Sequence, residues 1–141
     1  MLQISFFLIS IITATVTTVV ADNDDDSAVM LSLLKALKQP PSGWSSDTQF
    51  CQWDKNRIKC DSSNRRVTEI NLSSQNLVGT LPSNLNSLTQ LTHLDLQNNS
   101  FSGPLPSLAN LSSLTIAYLG NNQFNAVPPS AFSGLTSLQQ L

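Results

Sequence analysis

The sequence predicts an α/β solenoid: a right-handed coil of about three 23- to 24-residue turns, preceded by a helical, disulfide-stapled N-terminal segment. Three observations carry that expectation. Leu72, Leu96 and Leu119 recur 24 and 23 residues apart, each followed three positions later by an amide, Gln75, Asn99 or Asn122. Charge nearly vanishes beyond Arg66, where Glu69 and Asp95 are the only formally charged side chains in 75 residues. An amphipathic stretch and the chain's two cysteines both lie upstream of the period.

Composition agrees with this organisation. Of 141 residues, 7 are basic and 9 acidic, so charged residues make up 11%, against about a quarter in ordinary globular proteins. Leu (22), Ser (21) and Asn (13) together dominate the chain. A net charge of −2 with 7 Pro and 5 Gly excludes a collagenous chain, a polybasic nucleic-acid binder and a highly charged disordered tail.

Taken in order, residues 1–21 read as a secretory signal peptide. No residue from Leu2 to Ala21 is charged, Phe6-Phe7-Leu8-Ile9 forms the apolar centre, and Val19 and Ala21 are small residues placed for cleavage before Asp22. No Lys or Arg precedes Phe6, which departs from the usual signal pattern. An uncleaved membrane anchor is the competing reading. Thr13, Thr15, Thr17 and Thr18, and the acidic run after Ala21, speak against it.

Residues 22–66 read as a cap. Asp26 is placed to cap a helix over residues 27–38, whose Val29, Met30, Leu33, Leu34 and Leu37 share one stripe, and Pro40-Pro41 stops it. Cys51 and Cys60 are separated by eight residues. In a secreted chain they pair as a structural bridge closing a loop, an effect of about 2.5–3 kcal/mol in the chain-entropy model. A zinc half-site lacks ligands, since His93 is the only histidine, and a redox pair would have two intervening residues. Lys55, Arg57, Lys59, Arg65 and Arg66 crowd this region, but Asp54 and Asp61 interleave them, so they read as a solvated charged rim.

Residues 67–141 carry the period and break off in a fourth unit. After each amide come Leu77, Phe101 or Phe124, then Gly79, Gly103 or Ala126, then Pro82, Pro106 or Pro128. Such recurrence of several position classes in one register means stacked structural units. Alternating residues such as Leu94 and Leu96 make a short strand whose inward side chains build a continuous core, and successive strands pair side by side. The amide at each turn can both donate to and accept from loop backbone that stacking would otherwise strand.

The run of residues 91–106, of the form LxxLxLxxNxLxGxLP with Phe101 in one leucine place, resembles the plant-type extracellular leucine-rich repeat. The preceding segment, with Trp44, Cys51-Gln52-Trp53 and Cys60, is similar to the N-terminal cap of plant receptor-like kinases. More narrowly, these residues with Arg66-Val67-Thr68, Gly79-Thr80-Leu81-Pro82 and Phe132-Ser133-Gly134-Leu135 resemble the beginning of a TMK-type receptor kinase ectodomain. The resemblance implies an extracellular or cell-surface recognition module in plant signalling, whose partners are a protein, a peptide or a co-receptor ectodomain. Nucleic acid is not implied, and membrane attachment would come only through a C-terminal span beyond Leu141. No cofactor is implied, and any kinase activity would reside in a segment outside this chain.

Alternation places Glu69, Ser73, His93, Asp95, Gln97 and Tyr118 on the strand face, the candidate binding surface. Ser73, His93 and Asp95 also invite a catalytic reading, and His93 with Asp95 half a metal site. An open face offers no water-excluded pocket, so neither catalytic nor metal residues are assigned. Sequons occur at Asn110, Asn98 and Asn71, ranked in that order because a glycan on Asn71 would cover the strand face. The alternative function is a complete short secreted repeat protein acting as a structural or inhibitor-type partner in the cell wall.

Overall fold

The computed structural model describes residues 25–141. The expected signal peptide, its cleavage position and residues 22–24 of the cap lie outside the described residues.

Helix α1 spans Ser27–Ala36 and buries Val29, Met30 and Leu33. It is shorter than the expected residues 27–38. Leu37 turns extended and bridges antiparallel to Gly79, and the Lys38 N–H donates to the Val78 carbonyl at 2.8 Å. Pairing with a residue some 40 positions away ends the helix before the prolines do. That close approach also explains the glycine, since a Cβ on Gly79 would collide with the Ala36 carbonyl.

Asp26 departs from expectation too. Its side chain makes no helix-capping bond, and the local acceptor is Asp25, whose Oδ1 takes the Ser27 N–H at 3.0 Å. The Asp26 carboxylate faces the repeats instead. It accepts from the Val67 N–H at 2.6 Å and meets Arg66 Nε at 3.2 Å, with Asp26 only 2% exposed. A capping residue has become the tie between α1 and the first repeat strand.

The strands form two sheets. β1 (Ile58–Cys60) pairs antiparallel with β2 (Val67–Asn71). β2 then pairs in parallel with β4 (His93–Asp95), and β4 with β6 (Ile116–Tyr118). A second parallel sheet stacks β3 (Val78–Gly79), β5 (Ser100–Pro104) and β7 (Gln123–Ala126). Consecutive strands within each parallel sheet are about one sequence period apart, which is the construction of a solenoid.

Between the sheets runs a core of Leu72, Leu88, Leu91, Leu94, Leu96, Phe101, Leu108, Leu111 and Leu114, none more than 1% exposed. Met30, Trp44, Phe50, Trp53 and Ile58, upstream of the period, continue the same cluster. Trp44 stacks on Trp53 at 4.7 Å between ring centroids, and the Trp53 indole N–H donates to the carbonyls of Ser45 and Thr48. Cys51 and Cys60 are disulfide-bonded, tying the 3-10 turn Phe50–Gln52 to β1.

The β1–β2 connection is organised by Asp61. Its carboxylate accepts from the Ser63 hydroxyl at 2.6 Å and from the N–H groups of Arg65 and Arg66 at 3.0 and 3.1 Å. Those bonds, the Ser63 hydroxyl first, lower its carboxyl from the ordinary 3.8 to about 2. The group thus contributes stability above the unfolded value and loses it as pH falls toward 2. Asp61→Asn is expected to flatten the stability profile between pH 3.8 and about 2, read as urea midpoints across that range. An unchanged acid limb would show that the turn persists in the unfolded chain.

Candidate functional site

The parallel sheet of β2, β4 and β6 fixes which side chains share a surface. Register aligns Ile70, Leu94 and Ala117 in one inward row, each 0% exposed. The flanking rows face the other way: Glu69, His93 and Ile116 in one, Asn71, Asp95 and Tyr118 in the next. Because strand residues alternate, the apolar row and the polar rows are two consequences of one pattern.

The polar rows are structured by contacts across strands. Glu69 meets Lys59 of β1 at 2.7 Å. The His93 and Tyr118 rings stand edge to face, 6.2 Å between centroids and 87° apart, a favoured aromatic geometry. The Tyr118 hydroxyl donates to Gln140 Oε1, and Gln140 continues the sheet by bridging Ile116 in parallel. Asn71 Oδ1 accepts from both the N–H and the hydroxyl of Ser73.

Ser73 commits its hydroxyl to Asn71 at 2.8 Å, so the grouping with His93 and Asp95 that suggested a nucleophile is not assembled. Asp95 lies on the face yet is only 6% exposed, and the Gln97 side-chain amide donates to its Oδ2 at 3.3 Å. Among the described residues no group of three or more His, Cys, Asp or Glu is arranged to hold a metal ion.

The turn amides lie beneath this surface. Asn99 Nδ2 donates to the carbonyls of Leu72, Leu96 and Gln97 at 2.7, 3.1 and 3.2 Å, while its Oδ1 accepts from the N–H groups of Leu77 and Gln75 at 2.9 and 3.1 Å. Asn122 repeats the scheme one coil on, donating to Leu96, Leu119 and Gly120 and accepting from the Phe101 N–H. Gln75 differs, because its side chain donates only to Ser73 and Ser74 of its own turn. Ahead of its coil stands β1, paired antiparallel with β2, in place of a parallel strand.

A second line of side-chain bonds precedes the strands. Thr92 Oγ1 donates to the Thr68 carbonyl at 2.9 Å, and Thr115 Oγ1 to the Thr92 carbonyl at 2.8 Å. Sequence reading missed these threonines. Their signal was there, in a threonine directly after each coil's opening Val67, Leu91 or Leu114.

The three sequon asparagines are all exposed. Asn98 and Asn110 adopt positive φ values of 57° and 68°, and Asn98 Oδ1 accepts from Asn121 Nδ2 at 2.7 Å. Elsewhere, a cavity of about 330 Å3 lies at the far end of the coil, lined by Leu105, Leu119, Phe124, Val127, Phe132 and Leu141 among others. No helix of the described residues is long and apolar enough to cross a membrane.

Comparison with known proteins places the chain in context. The family model described as Leucine Rich Repeat matches residues 90–111 and 113–135. Receptor-like kinase TMK2 of Arabidopsis thaliana is 42% identical over 120 residues, 85% of this chain and 13% of that protein. Receptor-like kinase TMK4 of the same plant is 40% identical over 126 residues, 89% of this chain and again 13% of the relative. Among solved structures, a chain in the crystal structure of the BIR3–SERK2 complex from Arabidopsis thaliana superposes with a TM-score of 0.66 at 27% identity, covering 82% of this chain and 66% of that one. This chain therefore spans about an eighth of the length of the kinases it matches.

Proposed function

Since this chain belongs to the plant leucine-rich repeat proteins and is similar to the start of TMK-type receptor-like kinase ectodomains, we propose that it is an extracellular recognition module that binds a protein, peptide or co-receptor ectodomain through its parallel strand face. The observation that carries this is the in-register pair of rows, Glu69-His93-Ile116 and Asn71-Asp95-Tyr118, which sets polar and aromatic side chains on one rigid sheet. Such a face works by binding without chemistry, and passes occupancy on through whatever the module is attached to. In this reading residues 1–21 direct secretion, residues 22–66 cap the solenoid, and residues 67–141 supply about three right-handed coils. The kinase activity of the relatives belongs to lengths of those proteins that this chain does not cover.

The same reading ranks the sequons. Asn98 and Asn110, away from the rows, carry glycans compatible with binding, whereas a glycan on Asn71 would stand beside Asp95 and block it.

The test is a biosensor panel of plant leucine-rich repeat ectodomains and secreted peptides against the chain expressed in a secretory host. Tyr118→Arg and His93→Arg are expected to weaken the bound member by about tenfold or more, equivalent to about 1.4 kcal/mol. Ser83→Arg, exposed and far from the strand rows in sequence, serves as the control. Equal losses from Ser83→Arg, or no binding across the panel, would refute the strand-face assignment.

A further inference from the structure

Residues 67–141 hold two carboxylates, and both stand on the strand face. Glu69 is neutralised by Lys59 at 2.7 Å. Asp95 stands outside the ion pairs found among the described residues, which join Asp54, Glu69 and Asp26 to their cations. Among the described residues its side-chain bonds come from Gln97, the backbone N–H at 3.2 Å and the side-chain amide at 3.3 Å. With 6% exposure, that carboxylate has given up most of its water for two long, neutral donors. Register sets Asn71 on one side of it and Tyr118 on the other, and the Tyr118 ring is held by its edge contact with His93.

We infer that Asp95 is a receiving point for a cationic side chain, the guanidinium or ammonium of an arginine or lysine in an extended segment of a protein partner laid across β2, β4 and β6. This rests on the strand face being the recognition surface. The incoming cation replaces the 3.3 Å contact from the Gln97 amide with charge-assisted bonds to the carboxylate. A planar guanidinium lies at the same time against the Tyr118 ring, whose π face attracts it. An acidic segment is disfavoured at the same position, because it would meet the Asp95 charge while the Lys59 ammonium is already engaged by Glu69. Gln97 is thus a displaceable donor, and Asp95 and Tyr118 select the charge.

The probe is a capped Gly-Ser-Arg-Ser-Gly peptide and its twin with neutral citrulline for arginine, each titrated into isotopically labelled chain and followed by NMR. The arginine peptide is expected to shift the amides of Asp95, Gln97 and Tyr118. Citrulline in the peptide, or Asp95→Asn in the chain, is expected to weaken that response by about tenfold or more. Gln97→Ala should tighten it several-fold, a gain that loss of structure cannot mimic. Equal binding of the two peptides, or an Asp95→Asn chain that binds the arginine peptide as the parent does, overturns the inference. Failure here, with a protein partner still lost on Tyr118→Arg, rejects the cation and keeps the surface. Failure of both rejects the surface as well.

Discussion

Asn99→Ala is expected to lower unfolding stability by about 3–5 kcal/mol, a large share of the 5–15 kcal/mol that holds an ordinary domain. The size follows from what the amide leaves behind. Its removal strands the N–H groups of Leu77 and Gln75 and the carbonyl of Leu72, all within a packed seam between two coils. Each buried, unpaired backbone group costs about 1–3 kcal/mol, and water enters this seam only if the coils part. Asn99→Asp should also be severe, because a carboxylate keeps the acceptor but loses the donor toward Leu72 and brings a buried charge. Asn122→Ala is expected to cost less, since its Oδ1 serves one N–H where that of Asn99 serves two, and its residue is only half buried. Urea denaturation measures the ranking, and amide exchange at Leu77 locates it. A loss under about 1 kcal/mol for Asn99→Ala would mean that the seam is wet.

Asp26→Ala comes second, at about 3 kcal/mol, by detaching α1 from the first repeat strand. It leaves Arg66 without the carboxylate at 3.2 Å and the Val67 N–H without its acceptor. Asp26→Asn separates the two contributions, because an amide oxygen still accepts from Val67 while the charge is gone. Burial, the largest influence, raises the Asp26 carboxyl above the ordinary 3.8, against the lowering effects of the Val67 N–H and the Arg66 guanidinium. The folded chain therefore holds this proton more tightly than the unfolded one. The contribution is complete below 3.8 and fades as pH rises through the folded value, the reverse of Asp61. Asp26→Asn, which carries no titrating group, is expected to lose that slope just above 3.8 in thermal melts taken across the range. A slope that survives the substitution would assign it to another group.

These two residues also mark what a sequence does and does not disclose. Leu94, Leu96 and Phe101 were legible as core because burial in a solenoid repeats with the period, and a period is visible without knowing any contact. Which strand residues share a face was legible for the same reason, since alternation is a property of the backbone. Asp26 was misread because the rule available for it is local. An aspartate before an amphipathic stretch predicts a bond two or three residues on, whereas the donor that claims it is Val67, 41 positions away. The helix end was misread likewise, since Leu37 leaves to meet Gly79 while the visible stop signal is Pro40. For the candidate site, alternation assigned Asp95 to the face but could not show that it is 6% exposed or that Gln97, two positions along the same chain, turns its amide onto it. Facing follows from periodicity; exposure follows from side-chain conformations that periodicity does not set.

The joints between coils are chemically alike. The bond from Asn99 to Leu72 recurs as Asn122 to Leu96, and Thr92 to Thr68 recurs as Thr115 to Thr92. A gene segment encoding one coil could therefore be duplicated or deleted in frame, and the new neighbours would meet through a junction the protein already contains. Length becomes something evolution can vary by unequal crossing-over, with no interface to invent, while α1, which Asp26 joins to one particular strand through Arg66 and Val67, stays a single-copy part.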